Sequence, residues 1–105
     1  MKTKYNKLVR DKIPSILDNK GIKYLITYTN GNNHLSYLLK KLIEEAHELA
    51  KDKDIEELAD VMEVLLAISE ELGYSLDDIL VNMLAKRDER GGFDEGIILI
   101  ETFRN

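Results

Sequence analysis

The sequence predicts a mainly α-helical fold organised around an antiparallel helical hairpin. Residues 34–51 and residues 54–72 both have apolar side chains at helical spacing, and only a short polar turn separates them. A third helical pattern follows Ser75. The second helix of the hairpin is apolar on nearly every side, which a single neighbouring helix cannot cover. We therefore expect the hairpin and the third helix to join an oligomeric helical bundle.

The N-terminal part of the chain is expected to hold one short helix and one strand. Pro14 falls in the first turn of the helix predicted over 11–19, where its missing N–H costs little. Residues 23–29 are β-branched and aromatic, which is typical of a strand. The run Asn30-Gly31-Asn32-Asn33 predicts a loop before the first long helix.

The hairpin can be aligned from its turn. Asp54 suits the N-cap of the second long helix, and Gly73 suits its end. Because the turn centres between Asp52 and Lys53, residues whose numbers sum to 105 should face each other across the hairpin.

The C-terminal part is predicted to contain the third helix and a closing strand. Ser75 and Asp78 have the spacing of a capping box, and the pair Gly91-Gly92 should end the helix. Residues 97–103 predict a strand that pairs with 23–29 in a small two-stranded β element. A chain of 105 residues allows one modest core, so we expect a single domain over 1–105.

Composition and charge narrow the class of protein. The chain has no cysteine, which excludes disulfides and thiolate metal sites. Residues 1–12 are polar and lack the apolar core of a signal peptide, and no apolar run is long enough for a bilayer, so we expect a cytoplasmic protein. The net charge of −5 argues against nucleic acid as a partner. Basic residues cluster over 1–12 and 86–90, on either side of the acidic hairpin, which suits a polyanionic, metal-bound substrate; solvated surface charge is the ordinary alternative.

Four carboxylates are predicted to converge on the hairpin. Glu48 should face Glu57 and Glu45 should face Asp60, while the two acids of each helix share one face. Such carboxylates repel one another unless a cation holds them. Asp60 has apolar helical neighbours and no lysine or arginine within a turn of its own helix. The ordinary alternatives are that Glu57 belongs to a capping box and that Glu44 and Glu48 are surface charges four residues apart.

The ligand chemistry indicates the type of ion. Ligand sets made only of oxygen suit Mg²⁺, with Mn²⁺ as the alternative, and disfavour Zn²⁺. Neither His34 nor His47 has the spacing of a metal ligand. Magnesium keeps several waters, and one of them, with its pKa lowered by the metal, could attack phosphorus. Four carboxylates can hold more than one ion.

Three segments, in order, resemble the all-α nucleoside triphosphate pyrophosphatase superfamily, the MazG-like group. The acidic motifs of this group are similar to Glu44-Glu45-Ala46-His47-Glu48 and Glu56-Glu57-Leu58-Ala59-Asp60. The opening run from Tyr5 to Pro14 and the segment from Lys86 to Phe93 resemble its small members, those described as phosphoribosyl-ATP pyrophosphohydrolase-like.

The resemblance implies a Mg²⁺-dependent nucleoside triphosphate pyrophosphohydrolase. It would cleave between the α- and β-phosphates to give a nucleoside monophosphate and pyrophosphate, with house-cleaning of non-canonical nucleotides as one role. It also implies a homodimer or tetramer. Two alternatives stay open: a phosphoribosyl-ATP pyrophosphohydrolase and a non-catalytic oligomeric helical interaction module.

The resemblance also assigns roles to residues. It implies that the metal ligands are Glu45, Glu48, Glu57 and Asp60. Asn82 and Lys86 match positions that face substrate phosphates in relatives. Glu44 is a candidate outer-shell base that orients water, with Glu45 beside it as the second catalytic candidate. Charge and placement add weaker substrate-binding candidates: Lys7, Arg10, Lys12 and Arg90.

Overall fold

Four α-helices make up the regular structure of the protein, which a computed structural model describes over residues 1–104. The mainly helical prediction is therefore confirmed. No helix in this range combines the length and the apolar character needed to cross a lipid bilayer. The chain divides into two compact units, the first ending at Gly73 and the second beginning at Tyr74. The helices are α1 (Ile13–Asn19), α2 (His34–Asp52) and α3 (Ile55–Leu72) in the first unit, and α4 (Leu76–Arg90) in the second.

The turn between α2 and α3 is as tight as the sequence predicts. Lys53 adopts the left-handed conformation, with φ of 55°, and its N–H donates to the carbonyl of Leu49 at 2.9 Å. The carboxylate of Asp54 then accepts a hydrogen bond from the N–H of Glu57 at 3.0 Å, which confirms the predicted N-cap. Since only two residues separate the helices, α2 and α3 run antiparallel as a hairpin.

The core of the first unit lies between the two hairpin helices. Leu38 of α2 is buried together with Val64 and Ile68 of α3. Leu8 packs against these three side chains from the N-terminal segment. This packing fixes the register of the hairpin, and it anchors a segment that has no regular structure of its own.

The short helix α1 begins two residues later than predicted. Pro14 lies in its first turn, where the sequence placed it. Gly21 follows the helix with φ of +69°, a conformation that a residue without Cβ adopts at little cost. Lys12 occupies the N-cap position without a capping side-chain hydrogen bond.

The start of α4 confirms the predicted capping box. The hydroxyl of Ser75 accepts from the N–H of Asp78 at 3.1 Å, and the carboxylate of Asp78 accepts from the N–H of Ser75 at 3.0 Å. Two hydrogen bonds lower the pKa of the Asp78 carboxyl: the larger effect comes from the Ser75 backbone and the smaller from the Ser75 side chain. Gly91 ends the helix, also as predicted.

The predicted two-stranded β element is absent from the described residues. Neither residues 23–29 nor residues 97–103 forms a strand. A strand exists only when its backbone exchanges hydrogen bonds with a partner, and the two segments belong to different units. The β-branched composition of the two segments indicates a strand preference, but residues 1–104 contain no strand pairing.

The apolar residues of α4 are exposed rather than buried in a core. The pattern of α4 predicts that Leu76, Ile79, Leu80, Met83 and Leu84 point into a core, but all five are exposed. Every described residue from Tyr74 to Arg104 is exposed. Because the periodicity reports only which face is apolar, it could not identify what would bury that face.

Both hairpin helices expose a second apolar stripe beside the core. On α3, Ile55, Leu58, Met62 and Leu65 are exposed and alternate at spacings of three and four residues. This is the spacing of a helix seam that packs against other helices. We call these residues, together with the matching exposed set of α2, the outer stripes; the α2 set is Leu39, Ile43, Ala46 and Ala50.

Candidate metal centre

The predicted carboxylates meet in two overlapping groups on the hairpin. One oxygen from each of Glu45, Glu57 and Asp60 lies within 4.8 Å of the others. A second group, Glu48, Asp52 and Glu57, meets the same limit. We call these the inner and the outer triad. Glu57 belongs to both triads, so all four predicted ligands are brought together around it.

The helical geometry explains this convergence. Glu45 and Glu48 lie three residues apart on α2, as do Glu57 and Asp60 on α3, so each pair lies on one side of its helix. The antiparallel turn then places the two pairs opposite each other. The facing register that the sequence predicts is consistent with both triads.

Sequence reasoning missed Asp52 as a member of the cluster. We expected the first helix to end at Lys51 and assigned Asp52 to the turn, whereas α2 continues through Asp52. Asp52 follows Glu48 by four residues, which puts both on one face. This spacing was the signal that could have identified it.

Glu57 lies where the negative charge is concentrated. Burial raises the pKa of Glu57, and the charges of Asp54, Asp60, Asp52 and Glu48 raise it further. In the part of the chain that the structure describes, no lysine or arginine forms an ion pair with Glu57. Its carboxylate is therefore surrounded by acids and open to an added cation.

Two basic side chains of the protein reduce the repulsion that the sequence predicts among the clustered carboxylates. The guanidinium of Arg10 lies 2.7 Å from a carboxylate oxygen of Asp60, and the ammonium of Lys41 lies 3.4 Å from Glu45. Asp60 keeps 38% of its side chain exposed, so it is less desolvated than its apolar helical neighbours suggest. As the sequence indicates, no lysine or arginine of α3 lies within a turn of Asp60; its cationic partner, Arg10, comes from the N-terminal segment.

Glu44, the candidate base, belongs to neither triad. Its carboxylate accepts a hydrogen bond from the ammonium of Lys7 at 2.9 Å, and Lys41 lies 3.5 Å away. The bond from Lys7 is the largest cause that lowers the pKa of Glu44, and the same bond raises the pKa of Lys7. A carboxylate with a lowered pKa is a weaker base. Glu45 is the catalytic candidate that lies within the inner triad.

The basic candidates of the N-terminal segment have different surroundings. Lys7 and Arg10 form ion pairs with acids of α2 and α3, respectively. Lys12 is exposed at the start of α1. The structure therefore brings Arg10 to the inner triad and Lys7 to the adjacent Glu44.

The remaining substrate-binding candidates lie on α4, in the second unit. Asn82 and Lys86 line one open groove of about 610 Å³, together with Tyr74, Ile79 and other residues. The side-chain amide of Asn82 donates to the carbonyl of Asp78 at 3.0 Å. Arg90 lies in the last turn of α4. Asn82 and Lys86 thus share one surface, as their spacing of four predicts.

The donor set of the two triads fits a hard divalent cation. Every candidate ligand is a carboxylate oxygen, the type of donor that Mg²⁺ and Mn²⁺ prefer. The shared carboxylate of Glu57 would let two ions lie close together, as in two-metal phosphate enzymes. No family model matches the sequence, no curated protein matches it, and no solved structure matches the fold.

Proposed function

We propose that the chain is a divalent-cation-dependent nucleoside triphosphate pyrophosphohydrolase. The reaction would cleave the α–β phosphoanhydride and release a nucleoside monophosphate and pyrophosphate, the activity implied by the MazG-like resemblance. The observation that carries the proposal is the pair of triads that share Glu57. Non-canonical nucleotides are the substrates that a house-cleaning role would require.

The proposed chemistry depends on what the carboxylates hold. Mg²⁺ bound by the inner triad, with a second ion at the outer triad, would offset phosphate charge and activate a water. Glu57 would fix the spacing of the two ion positions because its carboxylate is common to both. Glu45 lies in the inner triad, where it can orient a water by accepting its hydrogen bond. The resemblance assigns Asn82 and Lys86 to substrate phosphates, and both line the groove on α4.

We further propose that the active form is a homo-oligomer with at least two copies. The outer stripes of α2 and α3 would pack against those of a second hairpin, which gives a four-helix arrangement. The exposed fractions of Met62 and Leu58 are 59% and 52%, which is high for large apolar side chains at seam spacing. The same packing would extend the small core of the hairpin. The lack of cysteine agrees with placing this assembly in the cytoplasm.

A second candidate function is a non-catalytic oligomeric helical module. It is favoured by the ion pairs of Arg10 and Lys41, which lessen the need of the acidic cluster for an added cation. The two candidates differ in their response to metal. Only the enzyme requires that Mg²⁺ or Mn²⁺ stabilise the folded protein, because a ligand that binds the folded state raises its unfolding free energy.

The direct test is product analysis with a panel of canonical and non-canonical nucleoside triphosphates. With Mg²⁺ present, we expect at least one member to yield monophosphate and pyrophosphate in equal amounts, with no inorganic phosphate. Chelation of the metal should stop the reaction. Release of inorganic phosphate and a diphosphate would contradict cleavage at the α–β bond. Folded protein that turns over no member of the panel would contradict the proposed activity.

A further inference from the structure

The segment before α1 crosses both helices of the hairpin. We call residues 5–12 the N-terminal strap. Its Lys7 forms an ion pair with Glu44 of α2, and its Leu8 packs against the buried core. Three residues beyond Lys7, Arg10 reaches Asp60 of α3. The strap is therefore fixed at two points before Arg10.

Arg10 of the strap pairs with a carboxylate of the inner triad. An Nη2 atom of Arg10 donates to Oδ1 of Asp60 at 2.7 Å, a short charge-assisted hydrogen bond. A guanidinium and a divalent cation compete for the same negative oxygen. The positive charge of Arg10 also repels a dication that approaches the triad.

We propose that Arg10 is an internal counter-ion: it occupies Asp60 when no divalent cation is bound, and the cation displaces it toward the substrate. This inference rests on the proposed function, because it describes the regulation of the same carboxylate site. The displaced guanidinium then pairs with a phosphate of the incoming nucleotide. The Asp60–Arg10 ion pair is thus replaced by two new pairs: Asp60 binds the metal, and Arg10 binds a phosphate.

The surroundings of Arg10 suit such an exchange. Its side chain is 59% exposed, so it can leave Asp60 without unpacking a core. An exposed ion pair contributes little to stability, which makes displacement by a dication inexpensive. Lys7 and Leu8 hold the strap by contacts outside the triads, so the side chain of Arg10 can move while the backbone stays in place. A planar guanidinium also binds phosphate oxygens in a bidentate manner.

The test measures Mn²⁺ affinity without nucleotide, by the electron paramagnetic resonance signal of free Mn²⁺. We compare the full chain with Arg10→Ala and with Lys4→Ala as the matched control. Lys4 carries the same charge just before the strap and forms no ion pair among the described residues. We expect Arg10→Ala to bind Mn²⁺ about two- to fivefold more tightly, the equivalent of one exposed ion pair, and Lys4→Ala to bind as wild type does.

A second titration uses α,β-methylene-ATP at saturating Mn²⁺. Here Arg10→Ala should bind the analogue about tenfold more weakly, because a charge-assisted hydrogen bond to phosphate is lost. Arg10→Lys keeps the positive charge but loses the planar guanidinium. Its affinity for the analogue should therefore lie between those of wild type and Arg10→Ala. In Arg10→Ala the affinity for Mn²⁺ should rise while the affinity for the nucleotide analogue falls. A residue that merely holds the strap in place would not change the two affinities in opposite directions.

Each outcome has one meaning. Tighter Mn²⁺ binding and weaker analogue binding in Arg10→Ala support the inference. Mn²⁺ affinity equal to that of wild type, in protein whose circular dichroism is unchanged, overturns it and leaves the proposed function standing. Tighter Mn²⁺ binding with unchanged analogue affinity overturns the transfer of Arg10 to phosphate. Absence of Mn²⁺ binding in all three proteins of the first titration contradicts the proposed function itself, and the inference falls with it.

Discussion

Replacing Glu57 with glutamine is expected to abolish pyrophosphate release. Glu57 is the only residue common to both triads, so Glu57→Gln removes one negative ligand from each ion position at nearly constant volume. The cation contributes several kcal/mol to the transition state of phosphate transfer, and each 1.4 kcal/mol is about a tenfold change in rate. We expect a loss of at least about a thousandfold in kcat/KM and more than about tenfold weaker Mn²⁺ binding.

The matched control for Glu57→Gln is Glu56→Gln. Glu56 is the exposed neighbour of Glu57 and belongs to neither triad, so its substitution removes the same charge from the same turn of α3. We expect Glu56→Gln to retain most of the activity. Metal-free Glu57→Gln should unfold at the same temperature as wild type or higher, because nearby acids disfavour the charged form of Glu57. Equal activity of the two variants would contradict a metal role for Glu57.

Introducing a charge into the outer stripe of α3 is expected to dissociate the oligomer. Met62→Lys replaces an apolar side chain at the middle of the stripe with an ammonium that a packed interface cannot solvate. Burying one methionine is worth about 1.5–3 kcal/mol, and a symmetric dimer carries the substitution twice. The dimer should therefore weaken by at least about a hundredfold. Light scattering should then give the chain mass of 12.1 kDa where wild type gives a multiple of it.

Glu63→Lys is the control for Met62→Lys. Glu63 is the next residue along α3, is exposed, and lies off both the outer stripe and the core-facing side that holds Val64 and Ile68. This control adds lysine to the same helix without placing it in the seam, and it should keep the mass of wild type. If Met62→Lys also keeps that mass, the outer stripe is not an interface between copies of the chain.

The convergence of the carboxylates was predictable because it depends on local rules. Helical spacing sets which acids share a face, and a two-residue turn with Asp54 as N-cap sets the facing register. Both rules act within a few residues along the chain. For the same reason the capping box of Ser75 and Asp78 could be read from the sequence and is confirmed.

The features that sequence reasoning missed depend on distant contacts. The pairing of Arg10 with Asp60 spans 50 residues and comes from a segment without periodicity. The β element required two distant segments to form a ladder, and propensity alone does not form one. Burial of α4 requires partners that its own apolar pattern cannot identify. Two exceptions had a local signal: the ion pair of Lys41 with Glu45, four residues apart on α2, and the place of Asp52 in the outer triad, four residues after Glu48.

The proposed function requires that carboxylates from the two hairpin helices bind divalent ions together. The most direct measurement is anomalous scattering from crystals grown with Mn²⁺. We predict a peak within about 2.5 Å of a Glu57 oxygen, bounded by Glu45 and Asp60, with Arg10 no longer paired to Asp60. If no peak appears at the two triads while Arg10 and Lys41 keep their ion pairs with Asp60 and Glu45, the carboxylates do not form a metal site.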